Sequence, residues 1–179
     1  MRLSHVLGIL LPLIGVANTR ALRAQAPTVT SVVALDSVAR RIVTAARYAT
    51  FATVDRSGQP QVRTIQPVAP GADWSVWFAT NPRTRKVQEV SRRPQVALHY
   101  YDPATESYVA LTGRARVVRD RATKDAHWDP AWSAFYRDRD SSVVLIEVIA
   151  TRVEVVSPHF GVQSDSRTWR PQFFIPSRR

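Results

Sequence analysis

Basic and hydroxyl side chains gather between residues 80 and 86, where they could hold an anion. Thr80 ends an apolar run, and Arg83, Thr84, Arg85 and Lys86 follow it within six positions. A helix is predicted to begin here, and the first turn of a helix presents free N–H groups and a positive dipole. Three basic residues at such a position are electrostatically unfavourable without an anion. The pattern favours a phosphate site, and the alternative is a solvated start to the helix.

Arg63, on a neighbouring predicted strand, adds a guanidinium to this stretch, which runs from Val62 to Pro94. Other catalytic patterns are missing from the sequence, which has no GxSxG, GxGxxG or GxxxxGK[ST] motif. His99, His127 and His159 have neither HxxxH nor HExxH spacing, so we expect no metal site. The chain also has no cysteine, which excludes a thiol nucleophile, a disulfide and cysteine-ligated zinc.

Composition is typical of one globular domain with a basic surface. The 179 residues include 25 Lys and Arg against 14 Asp and Glu, a formal net charge of +11. Such a charge favours anionic ligands or an anionic envelope. Nucleic acid is not an expected partner, because the sequence contains no helix-turn-helix, zinc or RNP signature.

Residues 1–26 have the three parts of a Sec-type signal peptide. Arg2 supplies the positive charge, Val6 to Ala17 form an uncharged apolar run, and Ala24-Gln25-Ala26 is a cleavage site. We expect export to the periplasm or the medium, with no stable membrane span after cleavage. The alternative is an uncleaved anchor, but the apolar run is shorter than the roughly 20 residues that a spanning helix needs.

The elements that must position the anion site are predicted from periodicity. An amphipathic helix is expected over Ser31–Arg47, with Arg40, Arg41 and Arg47 toward solvent, a second over Thr84–Arg92, and a broken one over Thr123–Arg137. Six strands are predicted at Tyr48–Asp55, Gln61–Val68, Ser75–Thr80, Gln95–Tyr101, Ser107–Arg119 and Ser142–Ser157. In the second strand Val62, Ile65 and Val68 are the expected apolar members, and Gly113 marks a bulge in the fifth.

These elements indicate a mainly β fold with short helical insertions, a six-stranded antiparallel barrel. The predicted organisation is a signal peptide (1–26), a leader and N-terminal helix (27–47), a barrel domain (48–157) and a C-terminal tail (158–179) whose structure the sequence does not indicate.

The residues around the anion site resemble the FMN-binding split-barrel family, which includes pyridoxamine 5′-phosphate oxidase and the general stress protein 26-like flavoproteins. The shared pattern is an Arg-led strand, a loop, an aromatic-x-Thr-Asn strand end and a Thr-Arg-Lys turn into a helix that ends before Arg-Pro. In this chain those residues are Arg63-Thr64-Ile65, Phe78-Ala79-Thr80-Asn81, Thr84-Arg85-Lys86 and Arg93-Pro94. The segment Trp128-Asp129-Pro130, followed by Trp132 and Phe135, is similar to the stress-protein branch.

The resemblance implies a split β-barrel homodimer with FMN at the subunit interface. It assigns the FMN phosphate to Arg63 and Lys86, with Thr80, Thr84 and Arg85 assisting. It places the backbone of Thr64, Ile65 and Ala79, next to Phe78, along the ribityl chain and the ring, and Tyr108 where the oxidase has a glutamine that reaches the flavin. Trp128 and Trp132 either cover the partner's flavin or pack the core of the inserted helix.

Three functions are compatible with these residues. The first is an exported FMN-dependent oxidoreductase whose substrate the sequence does not name; no catalytic residue is required, since flavin supplies the hydride chemistry. The oxidase itself ends in an Arg-x-His motif, and this chain has Thr168 to Phe173 there, which argues against pyridoxamine phosphate as substrate. The second is a non-catalytic protein that binds FMN, haem or another cofactor. The third, a lipocalin-like barrel for apolar ligands, would not need the basic turn.

Overall fold

The computed structural model describes residues 31–177, so the predicted signal peptide lies outside the described residues. Helix α1 spans Val32–Ala46, and Ser31 caps it by accepting a hydrogen bond from the Ala34 amide at 3.2 Å. Its apolar stripe buries Leu35, Val38 and Ile42 against the sheet, as the spacing predicts. No helix in this described part is long and apolar enough to cross a membrane.

One arginine of α1 departs from the prediction. Arg41 and Arg47 are exposed, but Arg40 is half-buried. It donates to Asp36 at 3.0 Å and to the carbonyls of residues 70, 71 and 72 at 3.3, 3.2 and 3.1 Å. Arg40 therefore ties α1 to the loop that precedes the third strand, a long-range role that helical periodicity does not reveal.

Seven antiparallel strands form the sheet, one more than the sequence predicts. Their order is β2-β1-β4-β5-β6-β3, and β7 pairs with β6. The strands are β1 Ala49–Val54, β2 Pro60–Ile65, β3 Ser75–Thr80, β4 Gln95–Asp102, β5 Ser107–Val118, β6 Val144–Val156 and β7 Gln172–Phe174. The extra strand, β7, comes from the tail whose structure the sequence does not indicate.

The sheet forms a split barrel that does not close, because its two end strands, β2 and β3, do not pair with each other. A backbone hydrogen bond from the Val68 amide to the Trp77 carbonyl, at 2.9 Å, crosses the gap between them. The mainly β, split-barrel prediction is thus confirmed. The inner face packs Phe51 edge-on to Phe78, with ring centroids 5.1 Å apart, and both rings are buried.

Strand β2 is shorter than predicted, and its expected apolar members do not share one face. Ile65 is buried, whereas Val62 is 67% exposed. The physical reason is the period of two in a strand, which places Arg63 and Ile65 on one face and Val62 and Thr64 on the other. Arg63 therefore turns toward the body of the protein.

The predicted bulge at Gly113 is confirmed as a register shift between β5 and β6 after Thr112. A Cβ atom at residue 113 would lie 2.2 Å from the Ile149 carbonyl oxygen, far too close for any side chain. Only glycine lets the two strands approach each other here.

The remaining helices are α2 Arg85–Arg92, α3 Arg121–Ala126, and short 3-10 helices at Pro130–Ala134 and Pro158–Phe160. The predicted helix over 123–137 is therefore broken as expected, into α3 and the first of these 3-10 turns. Asp129 caps that turn by accepting from the Ala131 amide at 2.8 Å. This region packs a second apolar cluster, formed by Trp77, Val118, Trp132 and Leu145, on the outer side of β3.

Candidate functional site

The start of α2 is built to leave polar groups available. Thr84 is the N-cap residue, yet its side chain makes no cap hydrogen bond, and the first turn holds no acidic residue. The Thr84 hydroxyl instead donates to the Asn81 carbonyl at 3.0 Å and lies 3.4 Å from the Thr80 hydroxyl. The helix N-terminus thus keeps a positive dipole without an internal carboxylate to offset it.

Lys86 turns back from α2 toward β3. Its Nζ donates to the Thr80 hydroxyl at 3.0 Å, and the side chain is half-buried. Burial lowers the pKa of Lys86 below its usual 10.5, the charge of Arg63 lowers that pKa further, and Glu89 partly opposes both. The Lys86 ammonium is therefore short of negative partners, and an anion placed here would stabilise its charged form.

Arg63 reaches the same place from β2. Its Nη2 contacts the Glu89 carboxylate at 2.7 Å, and its Nη1 donates to the Thr53 hydroxyl at 2.5 Å and to the Phe51 carbonyl at 3.3 Å. Thr53 in turn donates to Glu89 at 2.6 Å. A guanidinium has five N–H donors, so these contacts leave two of them for a ligand while holding the group in place.

We call Arg63, Thr80, Thr84, Lys86 and Glu89 the Lys86 cluster. It contains two cations and one carboxylate, and the Arg63 and Glu89 side chains are only 18% and 7% exposed. One positive charge is left in a partly desolvated setting, where electrostatic attraction for an anion is stronger than on an open surface. The sequence misses Glu89 and Thr53, because each is far from Arg63 along the chain.

The other predicted cofactor residues lie around this cluster in different settings. Arg85 and Thr64 are exposed, Ile65 is buried, and Phe78 is a core residue at 1% exposure, so only the Phe78 backbone can face a ligand. Ala79 lies on the opposite face of β3 from Phe78. It borders a cavity of about 250 Å³ lined by Gln66, Pro67, Ala79, Asp129, Ala131, Trp132, Phe135 and Tyr136.

Tyr108 and Trp128 are not joined to the Lys86 cluster by any contact among the described residues. Tyr108 lies near the turn between β4 and β5, with its ring centroid 5.2 Å from that of His99. Its pKa is raised by burial and by Glu154. Trp128 packs edge-on against Trp132 at 5.5 Å, and its Nε1 donates to the Ser133 hydroxyl at 3.1 Å. Trp132 belongs to the second apolar cluster and Trp128 packs against it, while Phe135 is the more exposed aromatic group here.

Two further cavities are larger than the one at Ala79, and they differ in the charge of their lining residues. One of about 450 Å³ borders the Lys86 cluster and is lined by Asp55, Arg56, Ser57, Arg85, Gln88, Glu89 and Arg92. A larger one, about 760 Å³, lies between α1 and residues 163–173, but its charged lining is one aspartate and one arginine. Volume alone does not make the larger cavity the better site, because it offers no excess charge.

Within residues 31–177, no group of three or more His, Cys, Asp or Glu side chains could hold a metal ion.

Comparison with protein families decides the relationship of this chain. The family model described as pyridoxamine 5′-phosphate oxidase matches residues 35–157. The chain belongs to the pyridoxamine 5′-phosphate oxidase family. The resemblance predicted from residues 63–94 is therefore confirmed, and the match also takes in most of α1 and all strands from β1 to β6.

Among members of the oxidase family, the pyridoxine/pyridoxamine 5′-phosphate oxidase of Pseudomonas savastanoi pv. phaseolicola is 29% identical over 122 residues. That alignment covers 62% of this chain and 56% of the relative. The chain thus spans about half the length of the curated relatives it matches.

Solved structures with the same fold include three of different descriptions. A protein related to general stress protein 26, from Clostridium acetobutylicum, has a TM-score of 0.63 at 17% identity and covers 79% of this chain and 93% of its own. An FMN binding protein related to pyridoxamine 5′-phosphate oxidase, from Nostoc punctiforme, scores 0.54 at 16% identity, covering 82% and 95%. A heme binding protein from Mycobacterium smegmatis scores 0.59 at 19% identity, covering 83% and 60%. These likenesses show a shared fold.

Proposed function

We propose that the protein is an FMN-dependent oxidoreductase of this family and that the Lys86 cluster binds the FMN phosphate. The observation that carries the proposal is the pair of cations, Arg63 and Lys86, around a single carboxylate at the uncapped start of α2. A phosphate dianion would supply the negative charge that this arrangement lacks. Membership of the oxidase family and the fold shared with an FMN binding protein support FMN as the source of the phosphate.

The donor set fits the phosphate of FMN. Lys86 offers a charged amine, and Arg63 keeps free N–H groups. The Thr80 and Thr84 hydroxyls, 3.4 Å apart, would rotate from each other and from the Asn81 carbonyl to donate to the phosphate. Exposed Arg85, in the first turn of α2, can approach the same anion. Charge-assisted bonds of this kind are the strongest that a protein makes to phosphate.

A cavity that could take part of a flat ring lies on the other face of β3. This 250 Å³ cavity begins at Ala79, which alternates with Thr80 along the strand, and its walls include Trp132, Phe135 and Tyr136. Because its volume is below the roughly 300–1,000 Å³ of typical ligand sites, it could hold only part of the flavin. Aromatic and apolar walls with a few polar groups are typical of cofactor sites. Bound FMN would supply hydride chemistry, and the role of this chain is to bind and orient the cofactor and to exclude water.

A non-catalytic binding protein for FMN or haem is the second candidate. The fold shared with a heme binding protein favours it, and haem also carries anionic carboxylates that a cationic cluster can bind. Haem would further need an axial ligand. His127 is exposed and stacks on Trp77, with ring centroids 3.8 Å apart. Haem titration of a His127→Ala variant would test whether this histidine is the axial ligand.

The decisive experiment compares FMN with riboflavin, which has the same ring but no phosphate. Each is titrated by flavin fluorescence into the wild type, into Lys86→Ala and into Arg119→Ala, a control that removes an exposed arginine. We expect Lys86→Ala to weaken FMN binding by about 1–3 kcal/mol, the scale of a hydrogen bond to a charged group. Riboflavin binding should change little in either variant.

Unchanged FMN affinity in Lys86→Ala would refute the phosphate site. Equal losses for FMN and riboflavin would show that the variant disturbs the fold rather than a phosphate contact. Oxidoreductase activity is tested separately, by asking whether a nicotinamide donor reduces the bound flavin in repeated turnovers. A flavin that binds but never turns over would favour the non-catalytic candidate.

Assembly and location are further parts of the proposal. A homodimer with FMN at the subunit interface and an exported mature protein beginning near Pro27 both rest on the sequence. Sedimentation equilibrium tests the first, since a monomer with FMN bound would contradict it. Mass spectrometry of the mature N-terminus tests the second, since an intact Met1 in the envelope fraction would contradict cleavage.

A further inference from the structure

Exposed apolar side chains concentrate in two neighbouring segments outside the Lys86 cluster. Nine large apolar side chains are exposed within residues 31–177, and five of them lie in the first turn of α1 and between residues 169 and 175. The five are Val32, Val33, Trp169, Phe173 and Ile175. The two segments are neighbours, because Leu35 of α1 and residues 168, 170 and 173 line the same cavity of about 760 Å³. We call these five residues, together with Arg167 and Arg170, the Trp169 surface.

Trp169 is held outward by a defined turn. Asp165 accepts hydrogen bonds from the amides of residues 167 and 168 at 3.0 and 2.7 Å and from the Thr168 hydroxyl at 2.8 Å. Two backbone hydrogen bonds close the turn, from the Trp169 amide to the Asp165 carbonyl at 2.8 Å and from the Asp165 amide to the Arg170 carbonyl at 2.9 Å. Trp169 has φ 58°, a left-handed conformation that is uncommon for a bulky residue, and its side chain is 82% exposed. The turn therefore presents the indole ring to the surroundings instead of packing it against the protein.

The segment around β7 adds two more apolar side chains. Phe174 is buried and contacts Trp74, so the period of two in a strand turns Phe173 and Ile175 outward. The guanidinium of Arg152, on β6, lies 3.4 Å from the centre of the Phe173 ring. Apolar groups and arginines are therefore interleaved on this side of the protein.

The charges of the Trp169 surface favour an anionic partner. Arg167 and Arg170 flank the indole, and neither forms an ion pair with any residue in the part of the chain that the structure describes. The turn that carries them has one acid, Asp165, so its net charge is positive. The acids of the same region, each with a partner inside the fold, are Asp36, Asp165 and Glu154.

An anionic lipid bilayer is the partner that matches these features. Trp side chains are enriched at the headgroup level of membranes, where the ring meets apolar groups and the indole N–H meets water. Arginines beside such a ring attract the phosphates of anionic lipids. The position of the surface agrees with this partner, since α1 begins directly after residues 1–30, which contain the apolar run Val6 to Ala17. The segment that is predicted to direct export therefore joins the fold at the Trp169 surface.

We propose that the Trp169 surface docks on anionic lipid bilayers, with the indole ring among the headgroups and Arg167 and Arg170 against lipid phosphates. Such docking would hold the protein at a membrane surface without a spanning helix. The Trp169 surface shares no residue with the Lys86 cluster, so the docking goes beyond the proposed flavin function and does not depend on it.

Vesicle co-sedimentation of the predicted mature chain tests the docking, because this chain begins near Pro27 and lacks the apolar run. Vesicles of phosphatidylcholine mixed with phosphatidylglycerol are compared with vesicles of phosphatidylcholine alone. We expect the protein to bind the mixed vesicles, less tightly as salt is added, and to bind the neutral vesicles little.

Variants locate the contact. Trp169→Ala should weaken binding to the mixed vesicles roughly tenfold, since interfacial binding scales with the apolar area that is inserted. The matched control, Phe135→Ala, removes an aromatic side chain that is 80% exposed elsewhere and should leave vesicle binding unchanged. Arg167→Gln combined with Arg170→Gln should weaken binding about thirtyfold, because each arginine near an anionic surface contributes about a fivefold factor. The same change at two other exposed arginines, Arg114→Gln combined with Arg119→Gln, should have a much smaller effect.

Fluorescence gives a second measure that depends on Trp169 itself. Mixed vesicles with brominated acyl chains quench a Trp that enters the bilayer, whereas Trp74, Trp77 and Trp132 are buried in the protein. We expect the wild type to be quenched on binding and Trp169→Phe to be quenched little.

Four results would overturn the proposal. No binding of the wild type to mixed vesicles would exclude docking on an anionic bilayer. Equal binding to neutral vesicles would show that the lipid charge is not recognised. Equal binding by Trp169→Ala and Phe135→Ala would place the contact elsewhere on the protein. Self-association without lipid that is lost in Trp169→Ala would assign the surface to contacts between copies of this chain. A failure of FMN to bind would leave the vesicle results unaffected, so the two proposals can fail separately.

Discussion

Two basic regions of this protein treat their charges in opposite ways. Around α3, Arg121 pairs with Asp125 at 2.7 Å and with Asp140 at 2.8 Å, and Arg139 pairs with Asp125 at 2.9 Å. The buried Lys124 donates to carbonyl oxygens of Arg139, Asp140 and Val143. Asp138, whose pKa is lowered by hydrogen bonds from Ser141 and the amide of residue 140 and further by the charge of Lys124, lies in the same region. We call these residues the α3 network, in which three cations face three carboxylates.

In the Lys86 cluster, by contrast, two cations share one carboxylate. The pKa directions show the difference. In the α3 network, hydrogen bonds from Arg121 and Arg139 lower the pKa of Asp125, which favours its charged form. The pKa of Lys86 is also lowered, but for a base this disfavours the charged form. A basic region that satisfies its own charge is structural, and one that leaves charge unsatisfied is where a ligand is to be sought.

The largest effect is expected at Glu89, the acidic residue of the Lys86 cluster. Glu89→Gln leaves Arg63 buried without a counter-charge, next to Lys86, and we expect a loss of about 3–5 kcal/mol in the free energy of unfolding. Urea denaturation of the FMN-free protein measures it. Asp125→Asn, the matched change in the exposed α3 network, should have a much smaller effect.

A loss no larger for Glu89→Gln than for Asp125→Asn would mean that the Lys86 cluster is as well solvated as the α3 network. Provided that it folds, Glu89→Gln should bind FMN at least as tightly as the wild type, because the cluster then carries more positive charge.

A smaller effect is expected at Lys86, and it concerns how stability and FMN affinity depend on pH. Because its folded pKa is below 10.5, the unfolded chain binds more protons between that pKa and 10.5, so Lys86 makes the FMN-free protein more stable as pH rises there. FMN affinity should do the reverse. It should be full while Lys86 is charged and fall as pH rises through the lowered pKa of the free protein.

FMN titrations from about pH 7 to about pH 10 follow this loss. The matched control is Lys86→Arg, which stays charged across the range and should therefore keep a flat profile. A decline of the same size in Lys86→Arg would assign the pH dependence to another group.

The smallest effect is expected at Arg121, in the α3 network. Arg121→Ala removes ion pairs that lie on the surface, so both stability and FMN affinity should stay close to the wild-type values. Urea denaturation and flavin titration, run beside Lys86→Ala, measure the two quantities. A loss of FMN affinity matching that of Lys86→Ala would show that general positive charge, rather than the Lys86 cluster, attracts the cofactor.

The sequence predicts those parts of the site that are contiguous along the chain. Thr80, Thr84 and Lys86 fall within seven residues, and the structure joins Lys86 to Thr80 and Thr80 to Thr84 as neighbours. Glu89 was not predictable in the same way. It lies four residues after Arg85 on helix α2, a spacing that suggests an ion pair within the helix, whereas its partner is Arg63 on strand β2.

The fold shows the same division between local and long-range information. Strands with their own apolar pattern, such as β3, match the prediction residue for residue. The three-residue β7 has no readable pattern, because it exists through pairing with β6 and through the contact of Phe174 with Trp74, whose ring centroids are 5.6 Å apart. The exposure of Val62 was not predictable from its apolar side chain alone, because the alternation of β2 turns Arg63 and Ile65 toward the protein and Val62 away from it.

The open side of the barrel has a consequence for local unfolding. Arg63 belongs to β2 and Thr80 to β3, the two strands that lack each other as partners in the sheet. Sheet ends held by few backbone bonds open more readily than central strands, so amides of β2 and β3 should exchange with solvent faster than those of β4 and β5. An anion bound by residues of both strands would hold β2 and β3 together and so disfavour their local unfolding. Ligand binding would then slow proteolysis that depends on the opening of these strands.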